Sequence, residues 1–501
     1  MRLFLSALYF FPLRFGAARR VDRSDIEATD VMKFNPIRGL LVGCALAALV
    51  VSSGSASAMS LRDAVQVALE SNPEIGQAEQ NREAIEFELR QALGLYMPRV
   101  DLEASAGVQR LDNPSRRSLG TVDDALYPAQ VGLVATFDLL DGGYRDSERA
   151  RQAARVDGAS FRVLERSEFI ALQIARVYFQ VVLQQQVLQL AQDNVGFHEA
   201  MLSDVGTAIS SGQLTEADRF QAIERLAAAR AKVTEAGVEL EAARIEFNRY
   251  VGLRPSQMAL PPRVGKQLPA SLEAAIEMAR IANPRVLLAD ADIDAASAMV
   301  DQAKSGLGPK LQFEARAATG LDIGGSEGRM SDLSARLQLR WNIYDGGIKD
   351  AEVQENARRE TEAMLVLDQT FREVEEAVRT SWLRLKTQGG LADTYKEQLD
   401  ASADLISSYR DQFSVGKRSL LDVLDAQNTR FNVQVLYDTA RYSVYFSEYR
   451  LMAASGVLLP YFGLSAPAQS DAYARAAFNA PSYQDSEPRQ RKPLDLTRFV
   501  K

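Results

Sequence analysis

The chain has 501 residues, of which 47% are hydrophobic and 25% charged, a composition that favours a folded protein. Its formal net charge of −8 and isoelectric point of about 5.2 argue against a nucleic-acid binder, which needs a basic patch to neutralise phosphates. A single histidine and a single cysteine argue against a Cys/His metal centre and a Cys-His catalytic pair, and exclude an intrachain disulfide.

The first predicted element is an export signal that begins at Met32. A positively charged start precedes an apolar core over residues 39–51, which is too short to span a bilayer, and small residues then predict cleavage after Ala58. Residues 1–31 are interpreted as an upstream extension. No later stretch is apolar for long enough to form a membrane helix, so we expect a periplasmic protein, a secreted protein or an outer-membrane barrel.

The rest of the chain, up to residue 460, consists of two tandem repeats, over residues 59–265 and 266–460. Five pairs of residues mark the same positions in the two copies: Asn72 and Asn283, Pro98 and Pro309, Asp141 and Asp345, Gly212 and Gly416, and Gly252 and Gly456. The first two pairs are 211 residues apart and the other three are 204 apart. The copies are therefore collinear except for one deletion between Pro309 and Asp345, which a loop would tolerate.

Long proline-free windows in each copy predict long helices, because proline interrupts a helix interior. The predicted helices cover approximately residues 60–97, 143–210 and 215–252 in the first copy, and 271–305, 347–411 and 419–456 in the second. In the longest helix of each copy, apolar residues alternate at spacings of four and three, as in Ile170, Ile174, Val177 and Val181. This spacing is typical of a coiled coil, although a soluble helical bundle would show it equally.

Between Pro98 or Pro309 and the next Asp-Gly-Gly, apolar and polar residues alternate with a period of two. Four strands are predicted, over approximately residues 99–112, 128–140, 310–322 and 331–344. Their length suits tilted transmembrane strands, although half-exposed strands of a soluble sheet would alternate in the same way. Four strands cannot close a barrel and lipid does not tolerate open sheet edges, so membrane strands must be shared between chains. Two copies would form a filled eight-stranded barrel, and three a twelve-stranded barrel with a lumen.

The duplicated layout, the two Asp-Gly-Gly turns and the motif FSVGKRSLLDVLDAQNT at residues 413–429 resemble the TolC-type outer-membrane export channels. The resemblance covers approximately residues 59–460. It implies a mainly α fold with transmembrane β-strands. In such a homotrimer, four strands per chain form a twelve-stranded antiparallel barrel that a long coiled-coil α-helical barrel continues.

The resemblance also implies a function and a location. Members of this family are passive exit ducts in the outer-membrane lipid of Gram-negative bacteria, with a large periplasmic part. The duct opens when a periplasmic adaptor and an inner-membrane transporter of the ABC or RND type dock. We therefore expect type I protein secretion, small-molecule efflux or both, with no catalytic, cofactor or metal site and no nucleic-acid partner.

Asp422 and Asp425 match the motif positions whose acids, in this family, form a ring at the periplasmic constriction. A charged ring of this kind attracts cations and resists anions. The alternative for Asp422 is an ordinary helix cap, because Ser419 and Asp422 approximate a capping box, as do Thr215 and Asp218 in the first copy. The counterpart of Asp425 in the first repeat is a glutamine, so the repeat itself does not demand an acid there.

The resemblance assigns roles to two further groups of residues. The adaptor-facing tips of the helix hairpins are expected at Gly212, Asp218, Gly416 and Arg418. The transitions between strands and helices are expected at Pro98, Asp141, Gly142, Gly143, Pro309, Asp345, Gly346 and Gly347. His198 is interpreted as a surface or packing residue, because the chain contains no partner histidine or cysteine.

Two other functions are weaker alternatives to an export channel. A periplasmic coiled-coil adaptor or scaffold without a pore would fit the helices but would not need four alternating strands. An enzyme is disfavoured because no nucleophile, base and metal set converges in the sequence.

Residues 461–501 are polar and rich in proline, and are expected to form a disordered tail.

Overall fold

The computed structural model describes residues 59–255 and 258–480. The predicted signal peptide, its cleavage site and the last part of the predicted tail lie outside the described residues. The elements of the first repeat are α1 (Leu61–Ser71), α2 (Pro73–Gly94), β1 (Arg99–Ala106), α3 (Pro114–Leu119), β2 (Ala129–Leu140), α4 (Tyr144–Ser210) and α5 (Glu216–Val251). Those of the second repeat are α6 (Leu272–Ala282), α7 (Pro284–Ser305), β3 (Lys310–Leu321), β4 (Arg329–Arg340), α8 (Ile348–Ser414) and α9 (Leu420–Ala454).

The single helices predicted over residues 60–97 and 271–305 are wrong, because each is broken into two helices at an Asn-Pro pair. Asn72 follows α1, and its side-chain oxygen accepts the backbone N–H of Glu74, 2.9 Å away, at the start of α2. Asn283 caps α7 in the same way. The backbone of both asparagines is extended, because a following proline disfavours helical geometry in the residue before it.

The four strands form one antiparallel sheet in the order β1-β2-β3-β4. β2 pairs with β3, so the sheet joins the two repeats and leaves β1 and β4 at its edges. Apolar side chains lie in register on one face, where Leu102 is opposite Leu133 and Ala317 is opposite Leu333. The three leucines are exposed in the single chain. An exposed apolar face of this kind is what a lipid-facing sheet presents.

Strands β1 and β4 end earlier than the sequence predicts. β1 stops at Ala106 rather than at residue 112; beyond it only an isolated bridge pairs Gln109 with Leu126, before α3 begins at Pro114. β4 stops at Arg340 rather than at residue 344. Trp341 leaves the ladder and donates its indole N–H to the carbonyl oxygen of Leu307, 3.0 Å away. Alternating hydrophobicity continues past both strand ends, so it does not mark where pairing stops.

Helix α4 packs against helices of both repeats, α2 and α5 from the first and α7 and α9 from the second. The apolar spacing predicted to form a packing seam is buried in both long helices. Its fully buried members in α4 are Ile170, Ile174, Val177 and Val181, and the buried members in α8 are Leu367, Val374 and Val378. The burial of these residues confirms that the four-three spacing marks a packing face.

The predicted disordered tail is wrong for residues 461–480, which are folded onto the helices. They belong to a segment, residues 458–480, that we call the C-terminal strap and that contains α10 (Leu458–Tyr461) and α11 (Ala474–Ala477). At its start, the carboxylate of Glu168 in α4 accepts the backbone N–H groups of Leu458 and Leu459 at 3.2 and 3.1 Å. Burial raises the pKa of the Glu168 carboxyl to about 7, against the opposing effect of these two donors.

A largely buried arginine, Arg475, anchors the far end of the strap. The Arg475 Nε lies 2.9 Å from Asp157 Oδ2 of α4, and its Nη1 lies 2.5 Å from Asp294 Oδ2 and 3.3 Å from Asp290 Oδ2 of α7. Asp157 also accepts the backbone N–H of Ala474 at 2.8 Å. The strap therefore ties α4 of the first repeat to α7 of the second. These contacts explain why a polar, proline-containing segment is ordered.

Candidate functional site

The tip of the first helix hairpin is a tight turn followed by a capped helix. Gly212, two residues after the end of α4, has a φ of +76°, a conformation that glycine adopts without strain. Asp218 Oδ2 accepts the backbone N–H and the hydroxyl of Thr215, both at 2.8 Å, and so completes a capping box at the start of α5. The backbone N–H of Thr215 lowers the pKa of the Asp218 carboxyl.

The second hairpin repeats this turn and places Asp422 in the first turn of its helix. Gly416 has a φ of +72°, and Ser419 Oγ accepts the backbone N–H of Asp422 at 3.2 Å while donating to its Oδ2 at 2.8 Å. Arg418 stacks on the ring of Tyr409, with its guanidinium carbon 3.9 Å from the ring centroid, and its Nη1 lies 3.7 Å from Asp422 Oδ2. Ser419 is therefore the N-cap of α9, and Asp422 is its partner at the third helical position, with a side chain that remains partly accessible.

Asp425 lies one turn further along α9 and is not a cap. Its side chain is 56% exposed, although Leu424 and Ala426 on either side of it are buried. Its Oδ1 accepts a hydrogen bond from Nη2 of Arg225 in α5, at 3.1 Å. No pattern in the sequence indicates Arg225, since no spacing rule relates residues 200 positions apart in different repeats. The structure thus brings Asp425 of the second hairpin to a cation of the first.

A small apolar cluster joins the two hairpins just inside their tips. Its buried members are Met201, Val205, Ala222, Leu420, Val423 and Leu424. Beside it, the buried Gln427 donates its side-chain N–H to Asn194 Oδ1 of α4, at 2.8 Å. His198 is a packing residue: it is buried edge-on against Phe197, with ring centroids 5.6 Å apart. Burial and then the nearby Arg225 guanidinium lower the pKa of His198, so it is held neutral.

The two Asp-Gly-Gly turns cap the long helices where the strands end. Asp141 accepts the backbone N–H groups of Gly143 and Arg145 at 3.0 Å each, and Asp345 accepts the equivalent donors at the start of α8. All four glycines of these turns have positive φ, between +73° and +92°. A β-carbon on Gly142 would lie 2.5 Å from the carbonyl oxygen of Ser305 in α7, so this position also requires the absence of a side chain.

The two predicted proline markers lie directly before strands. Pro98 follows the turn after α2 and precedes β1, and Pro309 follows the turn after α7 and precedes β3. A proline fixes its own φ and disfavours a helical conformation in the residue before it, which suits the change from helix to strand.

Within residues 59–255 and 258–480, no group of three or more His, Cys, Asp or Glu side chains is placed to hold a metal ion. In the same part of the chain, no helix is long and apolar enough to cross a membrane.

Comparisons with known proteins agree with this architecture. The family model described as "Outer membrane efflux protein" matches residues 64–253 and 275–457, one segment in each repeat. The chain is 23% identical to the alkaline protease secretion protein AprF of Pseudomonas aeruginosa, over 82% of this chain and 87% of that protein. It is also 23% identical to the outer membrane protein TolC of Escherichia coli, over 84% of this chain and 86% of that protein.

A solved structure extends the agreement to the fold. The Campylobacter jejuni CmeC outer membrane channel is similar to this chain with a TM-score of 0.69 and 17% sequence identity. The superposition covers 85% of this chain and 90% of the CmeC chain. The long helical hairpins and the four-stranded sheet are therefore arranged as in a known outer-membrane channel.

Proposed function

Because the chain belongs to the outer membrane efflux protein family and is an outer-membrane exit channel, we propose that it is the passive duct of a three-part export machine. An inner-membrane transporter of the ABC or RND type supplies the energy, and a periplasmic adaptor links it to the duct. The chain itself catalyses no reaction. Among the relatives, the printed name of AprF refers to protease secretion and that of the family to efflux, so we propose a conduit that serves type I secretion, efflux or both.

The sheet supports a barrel that is shared between chains. Strands β1 and β4 each have one edge without a partner in the described part of the chain. An open edge leaves backbone N–H and C=O groups unpaired, at a cost of several kcal/mol each in lipid, so the edges must meet strands of other copies. Three copies give a twelve-stranded barrel, which is wide enough for a lumen, whereas eight strands are filled by their own side chains.

The repeat itself indicates how the copies meet. Phe179 of α4 packs against Tyr449 of α9, with ring centroids 5.5 Å apart, and both are buried. The residues at the same positions of the opposite repeats are Leu383 in α8 and Ile245 in α5. They are 64% and 72% exposed in the single chain. The contact between α4 and α9 is thus made inside the chain, whereas the equivalent contact between α8 and α5 is not. A second copy would complete it by placing its α5 against α8.

A second pair of equivalent positions supports the same contact. Met201 of α4 is 2% exposed, whereas its counterpart in α8, Leu405, is 44% exposed. Such an interface joins two different surfaces, so each copy offers one surface to the copy before it and the other to the copy after it. Interfaces of this kind form closed rings when the rotation between copies closes. We propose a homotrimeric ring.

At the periplasmic end of this ring we propose that Asp422 and Asp425 form the gate. Each of the three chains contributes the two carboxylates, and both are partly exposed beside the hairpin turn. A ring of carboxylates attracts cations and repels anions in a narrow passage. The contact of Asp422 with the N-cap Ser419 is compatible with this, since the Asp422 side chain remains partly exposed.

The adaptor is proposed to bind the hairpin tips. Gly212 and Asp218 lie at the turn of the first hairpin and Gly416 and Arg418 at that of the second, and the apolar cluster that contains Met201 and Leu420 joins the two hairpins beside these turns. A periplasmic scaffold without a pore is the alternative function. It does not account for a four-stranded sheet with an exposed apolar face, and such a protein would not be found in the outer-membrane fraction.

The test of the gate is single-channel conductance in a planar bilayer. We expect the mature parent protein to show small, cation-selective openings. In the Asp422→Ser/Asp425→Ser variant, openings should be less selective because the carboxylate ring is lost, and larger because the bond from Arg225 to Asp425 no longer holds the two hairpins together. A serine at 422 can still accept a hydrogen bond from Ser419 at the helix start.

The possible outcomes of this experiment distinguish a failure of the proposed gate from a failure of the proposed channel. Equal conductance and selectivity in the two proteins would reduce the aspartates to structural residues while leaving a channel. No openings from folded oligomers would contradict the duct itself and favour the scaffold. A suitable control is Asp218→Ser, which removes an acid that caps the first hairpin; it should change conductance much less than the double variant.

A further inference from the structure

The contact between Arg225 and Asp425 gives the proposed gate a counter-charge within each chain. The distance from Arg225 Nη2 to Asp425 Oδ1 is 3.1 Å, with good hydrogen-bond geometry. The Arg225 side chain is about one-third exposed and that of Asp425 about one-half, so both charged groups are accessible to solvent. Its Nε also lies 3.5 Å from Glu224, a longer contact than that with Asp425.

Packing on both helices fixes the positions from which the two side chains extend. On α9, Asp425 stands between the buried residues Leu424 and Ala426. On α5, Arg225 stands between the buried Ala222 and Leu226, on adjacent turns. Neither helix can rotate without exposing these side chains. The packing therefore fixes the backbone positions from which these two partly exposed side chains reach each other.

The repeat does not require this pair, which makes it a specific feature of the site. The counterparts of Asp425 and Arg225 in the opposite repeats are Gln221 and Thr429, and both are uncharged. The Thr429 hydroxyl donates to the backbone carbonyl of Asp425, 2.9 Å away. Charges of opposite sign thus occur at only one of the two equivalent hairpin contacts, next to the proposed gate.

The two gate acids differ in the cation that faces them. Arg418 Nη1 is 3.7 Å from Asp422 Oδ2, beyond hydrogen-bond distance, and its guanidinium is stacked on Tyr409. Arg225 makes a hydrogen bond with Asp425. Opposite unit charges at this separation largely cancel each other for an ion more than a few ångströms away. Both acids therefore face a nearby cation, but Arg418 belongs to the same hairpin as Asp422, whereas Arg225 belongs to the other hairpin from Asp425. Only the charge of Asp425 is expected to change when the hairpins separate.

We propose that Arg225 is a specificity-determining residue of the channel: it neutralises Asp425 while α5 and α9 are in contact, and releases that charge when the hairpins separate. This inference rests on the proposed gate at Asp422 and Asp425. Its consequence is that cation selectivity is coupled to the state of the tip. In the resting state the constriction is less selective for cations than it would be with two free carboxylates per chain. When the hairpins separate, the charge of Asp425 is added to the ring.

The test is the reversal potential of single channels of the full mature protein in a potassium chloride gradient. Arg225→Gln should raise the ratio of cation to anion permeability at least about twofold at low ionic strength, because it frees Asp425. Arg225→Lys keeps the charge and should remain close to the parent. The difference between Arg225→Gln and the parent should fade near 1 M salt, where the Debye length is about 3 Å.

Arg219→Gln is the matched control. It removes the same charge from the same helix, but Arg219 pairs with Glu216, 2.7 Å away, and not with Asp425. Equal shifts for Arg219→Gln and Arg225→Gln would overturn the inference, because the effect would then reflect the total charge of the tip. Openings with unchanged selectivity in Arg225→Gln would overturn it as well. Absence of openings in the parent would instead contradict the proposed duct, and with it this role of Arg225.

Discussion

Replacing Arg475 with alanine is expected to lower the free energy of unfolding by about 3–5 kcal/mol, the cost of removing one partner from a buried group of charges. Arg475 bonds Asp157 of α4 and Asp290 and Asp294 of α7, and its removal leaves these acids close together without their shared cation. It also releases the end of the C-terminal strap from both repeats. The measurement is the loss of helical circular dichroism on heating the purified protein in detergent.

The control for Arg475→Ala is Arg379→Ala. Arg379 pairs with Glu375 one turn away on α8, 2.7 Å apart, and its side chain is largely exposed. Exposed pairs of this kind contribute about 0.3–0.5 kcal/mol, so the control should unfold close to the parent. If Arg475→Ala also unfolds with the parent, the strap does not tie the repeats together.

Gly142→Ala is expected to have the second large effect. A left-handed backbone costs a non-glycine residue about 1–2 kcal/mol, and the new β-carbon would lie 2.5 Å from the carbonyl oxygen of Ser305. No rotamer relieves an overlap between two backbone-anchored atoms, so α7 must move away from the start of α4. Overpacking of this kind typically adds about 1–3 kcal/mol. The readout is the thermal unfolding midpoint together with the yield of folded oligomer.

Gly143→Ala separates the overlap from the backbone strain. Gly143 also has a positive φ, of +92°, but nothing lies within 4 Å of the position of its β-carbon. This variant bears the backbone cost alone and should be the more stable of the two. A Gly143→Ala protein that is as unstable as Gly142→Ala would mean that Ser305 does not limit the site.

Local rules predicted most of the fold because each applies within a few residues. Proline-free windows and the four-three spacing located the long helices, and the two Asp-Gly-Gly turns located their starts. The same rules do not predict the helix ends at Asn72 and Asn283, because a proline is also compatible with the first turn of a helix and so does not by itself mark a break. Alternation likewise predicted strand residues beyond Ala106 and Arg340, since it reports which face is apolar and not where the hydrogen-bonded ladder ends.

The features that the sequence did not predict are contacts between distant segments. The composition of residues 461–480 predicts disorder, but Arg475 in this segment forms ion pairs with three aspartates on two helices of different repeats. Arg225 had no local pattern that singled it out, and its partner Asp425 belongs to another hairpin. In both cases the residues form an ion pair only after the helices have packed. The two partners are far apart in the sequence, so no local pattern predicts their contact.

In the proposed ring, each chain forms one third of the channel, and α8 of each copy is covered by α5 of the next. The direct measurement is cross-linking of the Ile245→Cys/Leu383→Cys variant with a short bis-maleimide in outer-membrane fractions, followed by denaturing electrophoresis. Cys44, the only cysteine of the chain, precedes the proposed cleavage site, so the mature protein would contain only the introduced thiols.

A ladder that ends at a covalent trimer is the predicted result. Each single-cysteine variant should remain monomeric on the same gel, because Ile245 and Leu383 meet each other and not themselves across the proposed interface. A ladder that ends at the dimer would favour the filled eight-stranded barrel. Monomers alone, from a protein that is folded in the membrane, would contradict the shared ring.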